Sequence, residues 1–299
     1  MMNNCFDNKD EARRPEIAKH RLEIAKHLKI ADPSILYVFG ETDSTNSRAR
    51  ELALNGAAQG TAVVADSQTS GRGRMGRKFE SPEGKGIYLS VILRPDFSAK
   101  TALFTTTAAA VAVSEAIFEE TGKKAGIKWV NDIYIGQKKV CGILAEAEAN
   151  PKTSRFEFII LGIGVNFNTE NSDFSDSVIK RGAGAIYESE KPAISREKLT
   201  AAIIDKVALY CIGLNGSKAE NKVESEVESK IESMRRLILE KYRSSSIVIG
   251  RKIRCIRGGE EWIATAKGIG DNGELLTVRE DGSSEILSSG EISIRPVIS

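Results

Sequence analysis

The sequence predicts an α+β fold in two unequal parts. Strand-like apolar runs alternate with helical segments up to about Phe167, helical stretches follow, and short strands separated by glycine turns begin at Ile247. With 299 residues, the chain can form one large domain and one small domain. We expect an N-terminal helical extension over 1–34, a large domain over 35–245 and a small β-barrel over 246–299.

The first half of the large domain combines helices and strands. Ser44, Thr45 and Asn46 supply the side-chain oxygens that cap helix N-termini, and Gly56 and Gly122 follow the ends of two helical segments. The spacing of apolar residues predicts helices over 16–30, 44–54 and 103–120, and strands over 35–39, 61–66 and 87–93.

Residues 127–144 predict a β-hairpin, because a Gly-Gln pair separates two apolar runs and suits a two-residue turn. The resulting register places Tyr134 opposite Lys139 and Asp132 opposite Cys141. Since paired residues share a face, we expect the Lys139 and Asp132 side chains to point the same way.

The second half of the large domain is predicted to be mainly helical. A nearly continuous apolar run over 156–167 indicates a buried central strand, and a polar loop follows it to about residue 190. Helices are predicted over 195–214 and 218–243, the second with a single apolar stripe.

The composition excludes several classes of function. Lys and Arg total 43 against 41 Asp and Glu, a net charge of +2, so there is no basic field for nonspecific nucleic-acid binding. The four cysteines form no C-x-x-C pair, which favours a reducing cytoplasm over a disulfide framework or a zinc site. His20 and His27 lie near the N-terminus, where we expect an exposed helix face, so histidine-dependent hydrolysis is excluded. No apolar stretch is long enough to span a membrane.

Residues 71–86, which we call the arginine loop, crowd positive charge onto a glycine-rich backbone. Guanidinium groups bind phosphate and carboxylate through paired donors, and glycines let the main chain approach a ligand. We therefore expect this loop to close over an anion. Its G-x-G-x-x-G spacing also matches dinucleotide-binding proteins, but Pro82 and a strand follow where that motif requires a helix, so we reject that interpretation. The cations are Arg72, Arg74, Arg77 and Lys78.

Three separated segments agree with one known pattern. They are Ser44-Thr45-Asn46, the arginine loop continued to Leu93-Arg94-Pro95, and Lys128-Trp-Val-Asn-Asp132 with Lys139-Val-Cys-Gly-Ile-Leu144. Together they resemble the biotin protein ligase family, and the likeness runs in order from about Ile35 to Pro296. The resemblance is to the form without an N-terminal DNA-binding domain, because the residues before Ile35 contain one convincing helix.

The resemblance implies a fold and a reaction. The fold is a mixed-sheet catalytic domain of the class II synthetase-like, biotin/lipoate ligase type, followed by an SH3-like barrel. The implied reaction uses ATP and Mg²⁺ to form biotinyl-5′-AMP, and then transfers biotin to a lysine of a biotin carboxyl-carrier protein or domain. The implied location is cytoplasmic. We expect no DNA or membrane partner, and whether two chains form a homodimer stays open.

The resemblance also assigns roles to individual residues. Lys139 and Arg74 are the implied catalytic residues, and Asp132 is the implied metal ligand. The implied biotin-binding residues are Ser44, Thr45, Asn46, Gln68, Arg72, Gly73, Arg74 and Lys139. The implied ATP-binding residues are Arg74, Arg77, Phe79, Lys128, Asn131 and Asn166.

Two departures from the family pattern and two rival functions accompany these assignments. The family usually has Trp where Phe79 stands and Pro where Val130 stands, and the adenine-side loop around 177–189 matches poorly. One rival is lipoate protein ligase, which should lack this arginine loop. The other is a biotin-responsive repressor, which requires a recognition helix that we do not find in the sequence.

Overall fold

A seven-stranded sheet forms the centre of the large domain. The computed structural model describes residues 14–94, 102–150, 156–188, 190–215 and 224–293. The first elements are α1 (Arg14–His27), β1 (Leu36–Thr42), α2 (Thr45–Leu54), β2 (Ala62–Gln68), β3 (Gly86–Leu93) and α3 (Ala102–Thr121). The remaining strands of this sheet are β4 (Gly126–Lys128), β5 (Asp132–Ile135), β6 (Lys138–Ala149) and β7 (Phe156–Asn166).

The sheet is mixed, with the strand order β1-β2-β3-β7-β6-β5-β4. Strands β1 and β2 are parallel and joined by the crossover helix α2, whereas every other neighbouring pair is antiparallel. The predicted central strand is therefore confirmed, because β7 has three strands on each side.

Three further α-helices lie in the described part of the large domain. They are α4 (Asp176–Lys180), α5 (Arg196–Val207), which continues into a π-helical turn over Ala208–Ile212, and α6 (Glu224–Ser245). The predicted helix over 195–214 is thus α-helical only to Val207. Part of the second predicted helix, residues 218–223, lies outside the described residues.

Helices cover the two faces of the sheet unequally. On one face, apolar residues of β1–β7 pack against α1, α3 and α5 in an extensive core. On the other face, α2 covers β2, β3 and the first part of β7, where Ala49 and Ala53 pack against Val63, Ile92 and Phe158. The rest of that face is left for the arginine loop.

The small domain is a five-stranded antiparallel sheet with the order β11-β10-β9-β8-β12. Its strands are β8 (Lys252–Arg257), β9 (Glu260–Ile269), β10 (Leu275–Arg279), β11 (Ser284–Leu287) and β12 (Glu291–Ser293). It joins the large domain through side-chain contacts: Trp129 Nε1 donates to the Gly273 carbonyl at 2.9 Å, and Arg243 donates to the Ile269 carbonyl at 2.8 Å.

Two predictions near the hairpin are corrected. Residues 127–135 form two short strands, β4 and β5, rather than one, because the chain turns at 129–131. Tyr134 pairs with Lys139 as predicted, but a bulge between Ile133 and Tyr134 shifts the register so that Asp132 faces Gly142 instead of Cys141. The extra residue on β6 nevertheless leaves Lys139 and Asp132 in contact.

The N-terminal helix also differs from expectation. It ends at His27, and His20 lies against α5 rather than on an exposed face, with Nε2 3.5 Å from a Glu197 oxygen and a side chain 13% exposed. Burial lowers the pKa of His20. Among the described helices, none combines the length and the apolar character of a membrane span.

Candidate active site

The site begins with an asymmetry between the two faces of β7. Ile159, Leu161, Ile163 and Val165 point into the helix-covered core, as the period of two requires. On the opposite face the side chains shrink along the strand from Phe158 and Ile160, under α2, to two glycines. We call Gly142, Gly162 and Gly164 the glycine floor; Gly142 and Gly164 are paired across β6 and β7.

The start of α2 forms a buried polar group beside this floor, which we call the amide–hydroxyl cluster. It consists of Ser44, Thr45, Asn46, Gln68 and Ser90. Ser44 caps α2 by accepting a hydrogen bond from the Asn46 backbone N–H at 3.2 Å. The Thr45 backbone N–H donates to Gln68 Oε1 at 2.9 Å, and Gln68 Nε2 donates to Ser81 Oγ at 2.8 Å. The predicted capping segment therefore also organises the site.

The Asn46 amide packs against Gly162 of the glycine floor and is held at both of its ends. Its Nδ2 donates to Glu146 Oε2 at 2.6 Å, and its Oδ1 accepts from the Ser90 hydroxyl at 2.6 Å. A Cβ at Gly162 would lie 2.3 Å from Asn46 Oδ1, so only glycine is compatible with this position of the amide.

The arginine loop folds back on itself as a small hairpin over the floor. Gly73 N–H donates to the Arg77 carbonyl at 2.7 Å, and Phe79 N–H donates to the Gly71 carbonyl at 2.8 Å. At the tip, Met75 adopts a left-handed backbone with φ 57° and exposes its side chain. A Cβ on Gly71 would meet the Phe79 carbonyl at 2.4 Å, which explains that glycine.

Each arginine of the loop is paired with a different part of the protein. Arg72 Nη2 lies 3.2 Å from Glu146 Oε2. Arg74 donates to Asn131 Oδ1 and to the Gly290 carbonyl, both at 2.9 Å. Burial lowers the pKa of Arg74, although a guanidinium stays protonated in proteins.

Arg77 extends to the small domain. It makes a two-pronged pair with Glu291 at 2.9 and 2.6 Å, and this pairing raises the pKa of Arg77 and lowers that of Glu291. Arg77 therefore holds the loop against β12, and its predicted contact with ATP stays a prediction.

Phe79 covers the glycine floor from above. A Cβ on Gly164 would lie 2.6 Å from its ring, and a Cβ on Gly142 would lie 3.6 Å from it. The ring also packs edge-on against Tyr88, with centroids 6.4 Å apart. The glycines thus make room for the aromatic ring of Phe79.

Lys139 reaches the same floor from β6. Its Nζ lies 2.5 Å from Asp132 Oδ1 and would be 3.3 Å from a Cβ on Gly142. Asn131, next to Asp132, donates to the Ile143 carbonyl at 2.8 Å and accepts from Arg74. Two of the predicted cations, Arg74 and Lys139, are therefore joined through adjacent residues of one turn.

The remaining predicted ATP-binding residues lie toward the edge of the site. Asn166, at the end of β7, donates to the Gly184 carbonyl at 2.9 Å. Lys128 is on β4, with Nζ 5.9 Å from the centre of the Tyr134 ring. Their contacts with a nucleotide stay predictions.

Three contributors were not identified from the sequence: Ser90, Glu146 and Glu291. Ser90 is a single small polar residue in an otherwise apolar strand, and that contrast could have marked it as a site residue. Glu146 and Glu148 alternate with alanines along β6, and that period of two indicates an acidic face. Glu291 stands in the Gly290-Glu-Ile-Ser stretch of the family resemblance, but no local pattern pairs it with Arg77, which is 214 residues away.

The oxygen donors at this site suit Mg²⁺ only together with a nucleotide. The described residues contain no group of three His, Cys, Asp or Glu that could hold a metal ion. Magnesium in nucleotide sites is commonly bound by one or two carboxylates, with water and substrate phosphates completing the shell. Asp132, beside Asn131, fits the role of such a single carboxylate.

Comparison with known proteins agrees with this architecture. Residues 38–166 match the biotin/lipoate A/B protein ligase family, and residues 248–295 match the biotin protein ligase C-terminal domain. The bifunctional ligase/repressor BirA of Bacillus spizizenii is 37% identical over 246 residues, covering 82% of this chain and 70% of that protein. Biotin--[acetyl-CoA-carboxylase] ligase of Mycobacterium tuberculosis is 28% identical over 263 residues, covering 86% and 88%.

A solved structure gives the same result for the fold. The biotin protein ligase from Aquifex aeolicus, in complex with biotin and ATP, matches with a TM-score of 0.66 and 29% identity, over 87% of this chain and 98% of that chain. The predicted α+β class, with a mixed-sheet domain followed by an SH3-like domain, is confirmed. The chain therefore belongs to the biotin/lipoate A/B protein ligase family and carries the C-terminal domain of the biotin protein ligases.

Proposed function

We propose that the protein is an ATP-dependent biotin protein ligase. In the first step a biotin carboxylate oxygen attacks the α-phosphorus of ATP, and the bond to the β-phosphate oxygen breaks to release pyrophosphate. In the second step the amine of an acceptor lysine attacks the carbonyl of biotinyl-5′-AMP, loses a proton and releases AMP. The observation that carries the proposal is that Lys139 reaches the glycine floor near the amide–hydroxyl cluster, and that Asp132 and Asn131 join it to Arg74 of the arginine loop.

The first step brings two anions together, so it requires cations placed before the substrates arrive. Lys139 is held by Asp132 at 2.5 Å, and Arg74 is held by Asn131 and a main-chain carbonyl. In the proposal Lys139 contacts the reacting carboxylate and the α-phosphate, and Arg74 stabilises the adenylate.

The amide–hydroxyl cluster suits a neutral ring that both donates and accepts hydrogen bonds. Amides and hydroxyls each supply both kinds of group. Ser44, Thr45 and Asn46 carry no charge, and because they are at most 4% exposed their donors and acceptors are held in place. We assign the ureido ring of biotin to this cluster, with Arg72 and Gly73 above it.

ATP is assigned to the side of the floor near Phe79 and Asn131. Arg77, Lys128 and Asn166 are the further residues proposed to contact it. Mg²⁺ arriving with ATP would neutralise phosphate charge, with Asp132 as its protein ligand. Closure of the arginine loop would exclude water from the mixed anhydride, and we expect the loop to become more protected when biotin and ATP bind.

Adenylate formation tests the proposal against lipoate ligation. Purified protein should catalyse pyrophosphate exchange into ATP that depends on biotin, and unlabelled lipoate should not compete with it. Exchange driven by lipoate, with none driven by biotin, would contradict the proposal and support the other branch of the family.

The acceptor, the oligomeric state and the location are further parts of the proposal. We propose that the acceptor is a biotin carboxyl-carrier protein or domain, which a pull-down of biotinylated protein from source cells would identify. We expect no specific DNA binding, although the Bacillus relative is named a ligase/repressor. A footprint that survives nonspecific competitor would contradict this. Sedimentation would test the proposed homodimer, and cell fractionation would test the proposed cytoplasmic location.

A further inference from the structure

One acidic side chain touches both halves of the site. Glu146 Oε2 accepts from Asn46 Nδ2 at 2.6 Å and lies 3.2 Å from Arg72 Nη2. Asn46 belongs to the buried amide–hydroxyl cluster, and Arg72 belongs to the arginine loop. Glu146 is therefore placed to act on a neutral recognition group and on a charged covering segment together.

The orientation of the Asn46 amide depends on Glu146. Amide nitrogen and oxygen have nearly the same shape, so their positions are determined by hydrogen-bond partners. The Ser90 hydroxyl, 2.6 Å from Oδ1, can donate or accept and so cannot distinguish them. An ionised carboxylate only accepts, and therefore Glu146 requires the nitrogen of Asn46 on its own side.

This orientation is passed on to neighbouring hydroxyls. With Oδ1 of Asn46 facing Ser90, the Ser90 hydroxyl must donate to it. Its oxygen can then only accept from Thr45 Oγ1, which is 2.8 Å away. Gln68 Oε1, 3.2 Å from Thr45 Oγ1, is the alternative acceptor for the same hydroxyl. One carboxylate thus limits the hydrogen positions available across the cluster.

The strand offers an internal comparison for Glu146. Glu148 lies two residues further along β6, on the same face, and pairs with Arg50 at 2.7 Å. Both acids make an ion pair with an arginine. Glu146 differs because it also binds an amide that is 4% exposed.

We propose that Glu146 is a positioning residue for ligand recognition: it fixes the donor and acceptor pattern of Asn46 and holds Arg72 of the arginine loop above it. The ligand class is a ring with a urea-like pattern of donors and an acceptor. This assignment rests on the proposed function and adds a residue that fixes specificity without touching the reacting atoms.

The test compares E146A with E148A, because both truncate a glutamate on one face of one strand. E146A leaves a buried amide donor without its acceptor, and we expect the KM for biotin to rise roughly tenfold or more. The KM for ATP and kcat should stay within about threefold, and E148A should stay within about twofold throughout. A biotin KM within twofold of wild type in E146A, or equal increases for biotin and ATP, would overturn the proposal.

Two further variants distinguish the positioning of Asn46 by Glu146 from a general loss of order in the site. E146Q keeps an acceptor for Asn46, but it loses the charge and adds a donor that can face a flipped amide, so it should recover only part of the biotin KM while hydrogen exchange in the arginine loop becomes faster. If E146Q has the biotin KM of wild type, an acceptor-only carboxylate is not needed to orient Asn46, and the proposal is wrong. In an N46A background, E146A should add less than about threefold, since its effect passes through Asn46. If E146A raised the biotin KM by the same factor in the N46A background as in wild type, Glu146 would not act through Asn46.

The wild-type protein separates this inference from the proposed function. If wild-type protein forms no adenylate from biotin, the proposed function fails. If it is active and E146A keeps its biotin KM, only the role of Glu146 fails. Thermal unfolding of E146A and E146Q controls for loss of the fold.

Discussion

The two halves of the site are stabilised in opposite ways. The amide–hydroxyl cluster is neutral and largely buried, and its hydrogen bonds join residues of α2, β2 and β3 to one another and to Glu146 of β6. The arginine loop is charged and partly exposed, and its arginines pair with Glu146, Asn131, Gly290 and Glu291 from distant parts of the chain.

The difference indicates how recognition and chemistry are divided. Buried neutral hydrogen bonds are costly to break. An amide that stays buried without a partner keeps the unfavourable free energy of desolvation with no hydrogen bond to offset it. Exposed ion pairs contribute little, about 0–1 kcal/mol each, and can be exchanged for a ligand anion. We therefore expect the cluster to be preformed and the loop to respond to the substrates.

Replacing Lys139 by Ala should have the largest effect, because it removes the cation proposed to act where the two anions meet. We expect adenylate formation to fall by about 100- to 1000-fold, the usual range for one electrostatic contact in a transition state. Lys138→Ala is the matched control, since Lys138 pairs with Glu188 instead. Pyrophosphate exchange within about tenfold of wild type, with unchanged thermal stability, would show that Lys139 is structural.

Adding one methyl group to the glycine floor should disrupt the neutral half selectively. In Gly162→Ala the new Cβ would lie 2.3 Å from Asn46 Oδ1, so the amide must move. Overpacking typically costs about 1–3 kcal/mol, and we expect biotin affinity to fall roughly tenfold to a hundredfold. Gly268→Ala in β9 is the control, because its Cβ would meet nothing closer than 3.9 Å. Unchanged biotin binding by calorimetry in Gly162→Ala would show that the cluster is adaptable.

Arg74→Gly should weaken the charged half with a smaller effect. It removes the hydrogen bonds to Asn131 and to the Gly290 carbonyl, so the loop loses one of its anchors on each domain. We expect biotinyl-5′-AMP to dissociate about tenfold faster, with a smaller change in biotin affinity, and released intermediate to label unrelated lysines. Met75→Ala, at the exposed tip, is the control. Slow dissociation of the intermediate from Arg74→Gly would contradict the role of this arginine.

The contact between the loop and the small domain should give the smallest effect, and it should depend on pH. Arg77 holds the pKa of Glu291 below its ordinary value of 4.5, so the folded state favours the ionised carboxylate. The pair therefore stabilises the protein above about pH 4.5 and loses this contribution as the pH falls through the lowered pKa. Because both side chains are partly exposed, we expect less than about 1 kcal/mol.

Glu291→Gln provides the measurement for this pair. The difference in unfolding midpoint between wild type and variant should shrink from pH 7 toward pH 3.5 and should also shrink in high salt. A difference that stays constant across this pH range would contradict an ionic contribution from Glu291.

Much of this site could be predicted from short stretches of sequence. Ser44 caps α2 as its position after a strand indicated, and Lys139 and Asp132 share a face as the hairpin indicated. The predicted pairing of Asp132 with Cys141 was wrong, because an alternating sequence pattern does not reveal a β-bulge. Local periodicity and helix capping depend on neighbouring residues, and for that reason they could be predicted from the sequence.

By itself, the sequence determined the α+β class, the family resemblance, the arginine loop and most of the candidate residues. Only the tertiary structure showed that Glu146 joins Asn46 to Arg72, that Gly162 and Gly164 form a floor, and that Arg77 reaches Glu291. Strand order and the packing of the small domain decide these contacts. Residues separated by 74 to 214 positions meet only when the whole sheet assembles, and no local pattern of residues contains that information.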